Sequence, residues 1–172
     1  HGDFMGDHGL MLKGPLHYQG LIRVPFIWKD PTRPGSAAVE ALASCTDIAS
    51  TVLARAGLAP YNGMQGRDLL PLMTGAEADH LEGVLVEEDN QRAYLGFDRP
   101  VRARTLVTRQ YRLTLYRGAD WGELYDLRAD PHECRNLWAE PSASAVRLRL
   151  TELLAHKLLE KDDQSPMPTQ LA

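Results

Sequence analysis

"RTLVTRQYRLTLYRGADWGELYDL" (residues 104–127) gives the strongest structural signal in the chain. In its middle, side chains of two kinds alternate with a period of two, which indicates a β-strand. The two sets are Tyr111, Leu113 and Leu115 on one side, and Arg112, Thr114 and Tyr116 on the other. Residues 104–108 and 122–127 are also rich in strand-forming residues. The segment therefore predicts consecutive antiparallel strands.

A further strand and a helix flank this segment. Residues 83–88, GVLVEE, form a short apolar run that indicates another strand. Residues 143–160 carry an apolar stripe at helical spacing, which predicts a helix packed on the sheet. The stripe consists of Val146, Leu150, Leu153, Leu154 and Leu158. We expect the remaining residues, 161–172, to be a disordered tail.

The first half of the chain has a different character. Residues 21–29, LIRVPFIWK, are apolar and rich in strand formers, and predict a buried strand. A helix is predicted within residues 45–60, with Thr46 or Asp47 as its cap and Gly57 as its stop. Apolar side chains recur there every four residues, at Ile48, Val52 and Ala56.

Composition places the chain among ordinary globular proteins. It has 172 residues, 44% hydrophobic and 24% charged, with a net charge of -4. This charge gives no reason to expect binding to nucleic acid or an anionic membrane, and no apolar run approaches the roughly 20 residues of a membrane span. Cys45 and Cys134 lack metal-ligand spacing and are expected to be buried thiols. The sequence allows a disulfide between them, and it does not indicate the cellular compartment of the protein.

The opening run, HGDFMGDHGLMLKG at residues 1–14, concentrates candidate metal ligands among glycines. Carboxylate and imidazole groups together suit several divalent metals. The candidates are His1, Asp3, Asp7, His8 and, shortly after the run, His17. For the aspartates and for His8, capping of the loop is an alternative interpretation.

Several motifs, in order, resemble the sulfatase family of the alkaline-phosphatase-like superfamily. The run HGDFMGDHGLMLKG…YQGLIRVPFIW is similar to the family's late metal-binding segment. TDIASTVLARAGL (46–58) and GRDLLPLMTG (66–75) are similar to the family's next two motifs. YRLTLY…GELYDLRADPHECRNL (111–137) is similar to its C-terminal strand pair and signature. The resemblance covers about residues 1–160.

The resemblance implies an α/β fold of the alkaline-phosphatase-like type. Residues 1–80 would be the C-terminal segment of the α/β catalytic domain. Residues 81–160 would form a small antiparallel-sheet subdomain with its packed C-terminal helix. The implied function is metal-dependent hydrolysis of a small-molecule sulfate ester.

The resemblance also implies roles for individual residues. His1 would be a metal ligand whose partner aspartate lies one residue upstream, and Lys13 would be the catalytic ammonium beside the sulfate. His8 and His17 are weaker candidates for substrate binding. The metal is expected to be calcium, with manganese as the alternative because of the imidazole ligand. The nucleophile, a formylglycine from a Cys/Ser-x-Pro-x-Arg motif, is expected upstream, since neither cysteine here fits. The chain alone is therefore expected to be inactive.

Two other functions stay open. The Asp-His form of the metal pair also suits a phosphonate monoester or phosphodiester hydrolase of the same superfamily. The missing nucleophile suits a non-catalytic folding or oligomerisation module. In the isolated chain, without the parent sheet on which the strand at residues 21–29 would be buried, we expect apolar surface at Leu21, Ile22, Phe26 and Ile27 to be exposed and to favour a homo-oligomer.

Overall fold

Four consecutive strands form one antiparallel sheet in the order β1-β2-β3-β4. The strands are β1 (Val84–Asp89), β2 (Arg102–Val107), β3 (Tyr111–Tyr116) and β4 (Gly122–Asp126). The helices are α1 (Gln19–Ile22), α2 (Asp47–Arg55), α3 (Leu70–Met73) and α4 (Ser144–Glu160), and short 3-10 turns lie at Asp7–Gly9 and Pro141–Ala143. These come from a computed structural model, which describes residues 2–32, 35, 37–76, 81–93 and 96–161. All four predicted strands are confirmed.

One face of the sheet packs against α4 through leucines. Leu113 of β3 lies opposite Leu106 of β2 and Leu124 of β4, and Leu150 and Leu154 of α4 complete a fully buried cluster. Burying a leucine side chain contributes about 1.5–3 kcal/mol to the free energy of unfolding. The predicted amphipathic helix and its apolar stripe are therefore confirmed.

The opposite face of the sheet is polar and is also buried. Arg112 and Thr114 of β3 have no exposed surface, and Thr105 of β2 lies directly opposite Thr114. The N-terminal segment covers this face, since His17 contacts Thr105 and Tyr18 contacts the arginine and a tyrosine of β4. The sheet is thus enclosed by α4 on one side and by the N-terminal segment on the other.

The predicted buried strand at residues 21–29 is wrong. Residues 19–22 form α1, and residues 23–29 carry no regular secondary structure. A strand needs a neighbour that accepts its backbone hydrogen bonds, and none of the four strands in the described residues pairs with this segment. As expected from the sequence, Phe26 and Ile27 are exposed, with 44% and 88% of their surface accessible. Leu21 and Ile22 were also expected to be exposed, but they are partly buried.

Helix α2 is confirmed, but the apolar side chains that recur there every four residues do not face the interior. Gly57 has a φ of 71°, which suits a helix stop that glycine adopts without strain. The buried side chains are polar, Asp47, Ser50 and Thr51, while Ile48 and Val52 are exposed. The polar side bonds to the loop that precedes α3: Ser50 donates to the Gly66 carbonyl at 2.7 Å, and Asp47 and Thr51 accept backbone N–H groups.

The sequence also made predictions about the two cysteines, the C-terminal tail and the domain boundary. Cys45 and Cys134 are both free and exposed, so the prediction of buried thiols is wrong. Each lies in a loop, Cys45 just before α2 and Cys134 after β4, and these positions leave the side chains accessible. Of the predicted tail, Lys161 bonds to Gln65, and residues 162–172 lie outside the described residues. The predicted domain boundary near residue 80 also falls outside them and stays a prediction. Among the described residues, no helix is long and apolar enough to cross a bilayer.

Candidate functional site

The N-terminal loop, residues 2–18, is held in shape by its own backbone. The N–H of Gly2 donates to the Leu21 carbonyl at 2.9 Å, and the N–H of Phe4 donates to Leu12 at 2.9 Å. The Phe4 side chain is buried and anchors the loop. Gly2 packs so closely on Gly20 that a side-chain Cβ at this position would overlap the Gly20 carbonyl. The sequence therefore needs a glycine at position 2 for this closure.

Three residues of this loop that are not glycine have left-handed backbone conformations. The φ angles are 49° at Met5, 53° at His8 and 62° at Leu12. Such conformations are costly for residues with a side chain and concentrate at binding and active sites. The strained segment leads directly into Lys13.

Lys13 lies at the edge of the loop with its ammonium group held by two acceptors. Its Nζ donates to the Gly2 carbonyl at 2.9 Å and to Asp3 Oδ1 at 2.6 Å. Both charged side chains are about half exposed, 49% for Lys13 and 43% for Asp3. The ammonium therefore lies beside Gly2, the residue that follows His1 in the sequence. His1 itself lies outside the described residues, so its role as a metal ligand stays a prediction.

A small cavity of about 100 Å³ opens beside Lys13. Apolar loop residues line it, among them Phe4, Leu10 and Met11. An ammonium at the rim of an apolar hollow can hold an anionic group while the rest of a ligand contacts carbon. The catalytic role of Lys13 stays a prediction.

His8 packs on the outer side of Tyr18. The two rings are stacked, with 3.8 Å between centroids and 19° between planes. Tyr18 in turn lies over the guanidinium of Arg112, 4.9 Å from its ring centroid. His8 is exposed, and its predicted contact with substrate stays a prediction.

His17 lies inside the molecule, against the sheet. Only 4% of its surface is exposed, and its Nδ1 lies 2.7 Å from Thr105 Oγ1. Burial, together with the charges of Arg112 and Arg104, lowers the pKa of His17 to about 4. The imidazole is therefore neutral at pH 7 and packs between the loop and β2. Its predicted contact with substrate stays a prediction.

The sequence reasoning missed a buried ionic cluster beneath the loop. Arg112 donates through Nη1 to Glu123 at 2.7 Å and through Nε to Glu133. Burial acts to lower the pKa of Arg112, but the two glutamates raise it above its usual range. The guanidinium also lies 4.7 Å from the ring centroid of Tyr125. The sequence did carry a signal for this cluster. Arg112 lies within an alternating strand, and Glu123 and Glu133 follow it in the C-terminal signature.

The described residues do not by themselves form a metal site. Among them, no group of three or more His, Cys, Asp or Glu side chains is placed to hold an ion. Asp3, one of the candidate ligands, is paired with Lys13. The donor groups that the structure describes thus do not fit a resident divalent cation.

Comparison with known proteins identifies the family. Residues 6–161 match the family described as "N-sulphoglucosamine sulphohydrolase, C-terminal". The chain belongs to this family. The match confirms the resemblance to the C-terminal portion of sulfatases and covers most of the N-terminal loop and all of α4.

Two curated relatives are named as sulfatases. The chain is 29% identical over 158 residues to "Uncharacterized sulfatase YidJ" of Escherichia coli (strain K12), covering 90% of this chain and 30% of that protein. It is 27% identical over 174 residues to "N-acetylglucosamine-6-O-sulfatase" of Bacteroides thetaiotaomicron, covering 96% of this chain and 30% of that protein. The chain thus spans about a third of the length of these relatives.

A solved structure confirms the fold class. The phosphonate monoester hydrolase of Agrobacterium radiobacter superposes with a TM-score of 0.82 and 29% identity. The superposition covers 99% of this chain and 36% of that enzyme. The small antiparallel sheet with its packed C-terminal helix is therefore part of the alkaline-phosphatase-like fold of sulfatases and related hydrolases.

Proposed function

We propose that the chain is the C-terminal part of a metal-dependent hydrolase that cleaves the sulfate esters of small molecules. The observation that carries this proposal is the family match over residues 6–161, joined by relatives that are named sulfatases. Those relatives are about three times as long, and the activity belongs to a protein of that length. The chain by itself is proposed to be inactive.

Lys13 is proposed to bind the sulfate group. An ammonium has three N–H donors, and the described acceptors, Gly2 and Asp3, use two of them. The third donor is available to a sulfate oxygen. A fixed positive charge at this place would stabilise the negative charge that develops as the ester bond breaks.

Asp3 has a supporting role in this proposal. Its carboxylate holds the Lys13 ammonium at one end of the loop. The lysine side chain therefore has fewer accessible conformations before the anion binds. Preorganised charges stabilise a transition state better than mobile ones.

The metal and the nucleophile are proposed to involve groups beyond the described residues. His1 would be one ligand of a divalent cation, calcium or manganese, which would supply positive charge beside the sulfate. The chemistry of the described donors does not complete such a site. A formylglycine upstream is the proposed nucleophile.

Phosphonate monoester hydrolysis is the second candidate. It is favoured by the superposition on the Agrobacterium radiobacter enzyme, which covers nearly the whole chain. A phosphonate monoester presents anionic oxygens to the same ammonium, and Lys13 would act on it in the same way.

The test compares two substrates and two lysines in the full-length enzyme. Lys13→Ala is expected to lower kcat/KM for 4-nitrophenyl sulfate by about 100-fold or more, as removal of a transition-state hydrogen-bond donor does. The matched control is Lys29→Ala, an exposed lysine outside the loop, which should leave the rate unchanged. Equal rates for both variants would refute the role of Lys13, and faster turnover of a phenylphosphonate ester would favour the second candidate. Turnover of a sulfate ester by the 172-residue chain alone would contradict the proposed inactivity.

A further inference from the structure

The side chain of Glu133 joins the sheet to the N-terminal loop. One carboxylate oxygen accepts from Arg112 Nε of β3. The other accepts from the backbone N–H of Gln19, the first residue of α1, at 2.7 Å. Glu133 is 3% exposed and Arg112 is fully buried, so water does not compete for these contacts.

A short series of hydrogen bonds leads from this carboxylate to the ammonium of Lys13. Helix α1 begins at Gln19, and its Leu21 carbonyl accepts the N–H of Gly2 at 2.9 Å. The Gly2 carbonyl then accepts from Lys13 Nζ at 2.9 Å. Because Gly2 packs on Gly20 without room for a side chain, α1 and Gly2 move together. A shift of α1 therefore displaces the carbonyl that holds Lys13.

Stability of the sheet alone does not account for the charges in this arrangement. Burial of ionic groups carries a large desolvation cost, and apolar side chains of similar size often stabilise a core as well or better. Charged groups differ from apolar ones in that they fix direction, since a carboxylate holds its two donors at set angles. The cluster thus fixes α1 relative to the sheet more narrowly than apolar packing would.

We infer that Glu133, held by Arg112, is a positioning residue for Lys13. The inference rests on the proposed function, in which Lys13 binds the sulfate. Glu133 does not touch the substrate; it sets the place of α1, and α1 sets the place of the Gly2 carbonyl. Loss of this contact leaves the sheet intact and lets the Lys13 ammonium move.

Gln19→Pro removes the contact selectively. Proline lacks the N–H that Glu133 accepts, and the first position of a helix tolerates it. The preceding residue, Tyr18, has φ -64° and ψ 154°, a conformation compatible with a following proline. Gln19→Ala is the matched control because it keeps the backbone N–H. Glu133→Asp is a second variant, which keeps the charge beside Arg112 but is one methylene too short to reach both donors.

The direct measurement is the reactivity of individual lysines in the full-length enzyme. Reductive methylation followed by mass spectrometry gives the labelling rate of Lys13 relative to exposed Lys29 in the same molecule. We expect Gln19→Pro and Glu133→Asp to raise this ratio about threefold or more, as for loss of the single hydrogen bond from Lys13 to the Gly2 carbonyl, while the ion pair with Asp3 remains. Gln19→Ala should leave it unchanged, and the melting temperature of Glu133→Asp should show that the fold is retained.

Other outcomes would overturn the inference. An unchanged ratio in folded Gln19→Pro and Glu133→Asp proteins would show that Lys13 is held without Glu133. Loss of folding in both variants would also overturn it, because Glu133 would then serve the fold and not the lysine. If only Gln19→Pro fails to fold, Glu133→Asp decides.

Activity of the full-length enzyme separates this inference from the proposed function. Gln19→Pro is expected to lower kcat about tenfold with a smaller change in KM, because misplaced groups cost rate. If labelling changes but Lys13→Ala leaves turnover intact, the proposed function fails and the positioning of Lys13 by Glu133 stands. If Lys13→Ala abolishes turnover but the labelling ratio never changes, the inference fails and the proposed function stands.

Discussion

At the scale of single residues, His17 shows how the loop and the sheet depend on each other. Its imidazole bonds to Thr105, which bonds to Thr114 at 2.7 Å, and Thr114 accepts from Arg112. A positively charged imidazole at this place would lie near Arg112 and Arg104 without water to screen it. The folded protein therefore holds His17 in its neutral form.

This burial predicts a loss of stability in mild acid. The ordinary pKa of histidine is 6.5, and in the folded chain the pKa of His17 is about 4. Between these values the unfolded chain binds a proton that the folded chain does not. The contribution of His17 is therefore complete above pH 6.5, and the free energy of unfolding falls as the pH drops from 6.5 towards 4. The full difference is about 3 kcal/mol.

Denaturant unfolding at a series of pH values measures this effect. The control is His17→Gln, which keeps a hydrogen-bonding group near Thr105 but does not titrate. Its free energy of unfolding should depend less on pH between 6.5 and 4 than that of the unaltered chain. Identical pH dependence in the two proteins would show that His17 is not held neutral by folding.

At the scale of secondary-structure elements, the sequence predicts what local patterns determine. The alternation in β3 and the leucine stripe of α4 lie within single elements, and both predictions are confirmed. From the sequence alone, the polar side chains of β3 indicate a face exposed to solvent. Its burial depends on His17, 88 residues away from Thr105 in sequence, and no local pattern carries that information. The Arg112 cluster was missed for a related reason. Its residues lie within motifs that the sequence shows, but the contact between Arg112 of β3 and Glu133 beyond β4 is not part of any periodic pattern.

The burial of the apolar stripe of α4 predicts how much individual leucines contribute to the free energy of unfolding. Leu154 is 1% exposed and packs against the sheet, whereas Leu148, on the other side of the helix, is 72% exposed. Leu154→Ala should lower the free energy of unfolding by about 2–5 kcal/mol, because it leaves a cavity against β2 and β3. Leu148→Ala should change it by no more than about 0.5 kcal/mol. Urea unfolding of both variants tests this, and equal losses would show that α4 does not dock through this stripe.

At the scale of the whole molecule, contacts join the two halves that the sequence separates near residue 80. Gln19 bonds to Glu133, and His17 bonds to Thr105, so the candidate site loop rests on the sheet of the second half. The position of Lys13 thus depends on residues more than 100 positions later in the chain. This explains why the Lys13 loop is recognisable from its own motif while the groups that support it are not.

The exposed segment at residues 23–29 predicts self-association of the isolated chain. Phe26 and Ile27 present apolar surface to water, and none of the described strands pairs with this segment. Exposed apolar surface of this kind favours association between copies of a chain. Sedimentation velocity should therefore show a sedimentation coefficient that rises with protein concentration, and Ile27→Lys should reduce that rise because a buried charge opposes the contact. Leu148→Lys, at a comparably exposed leucine of α4, should leave the rise unchanged. A constant monomer value at all concentrations would refute self-association, and equal effects of the two lysines would place the contact elsewhere.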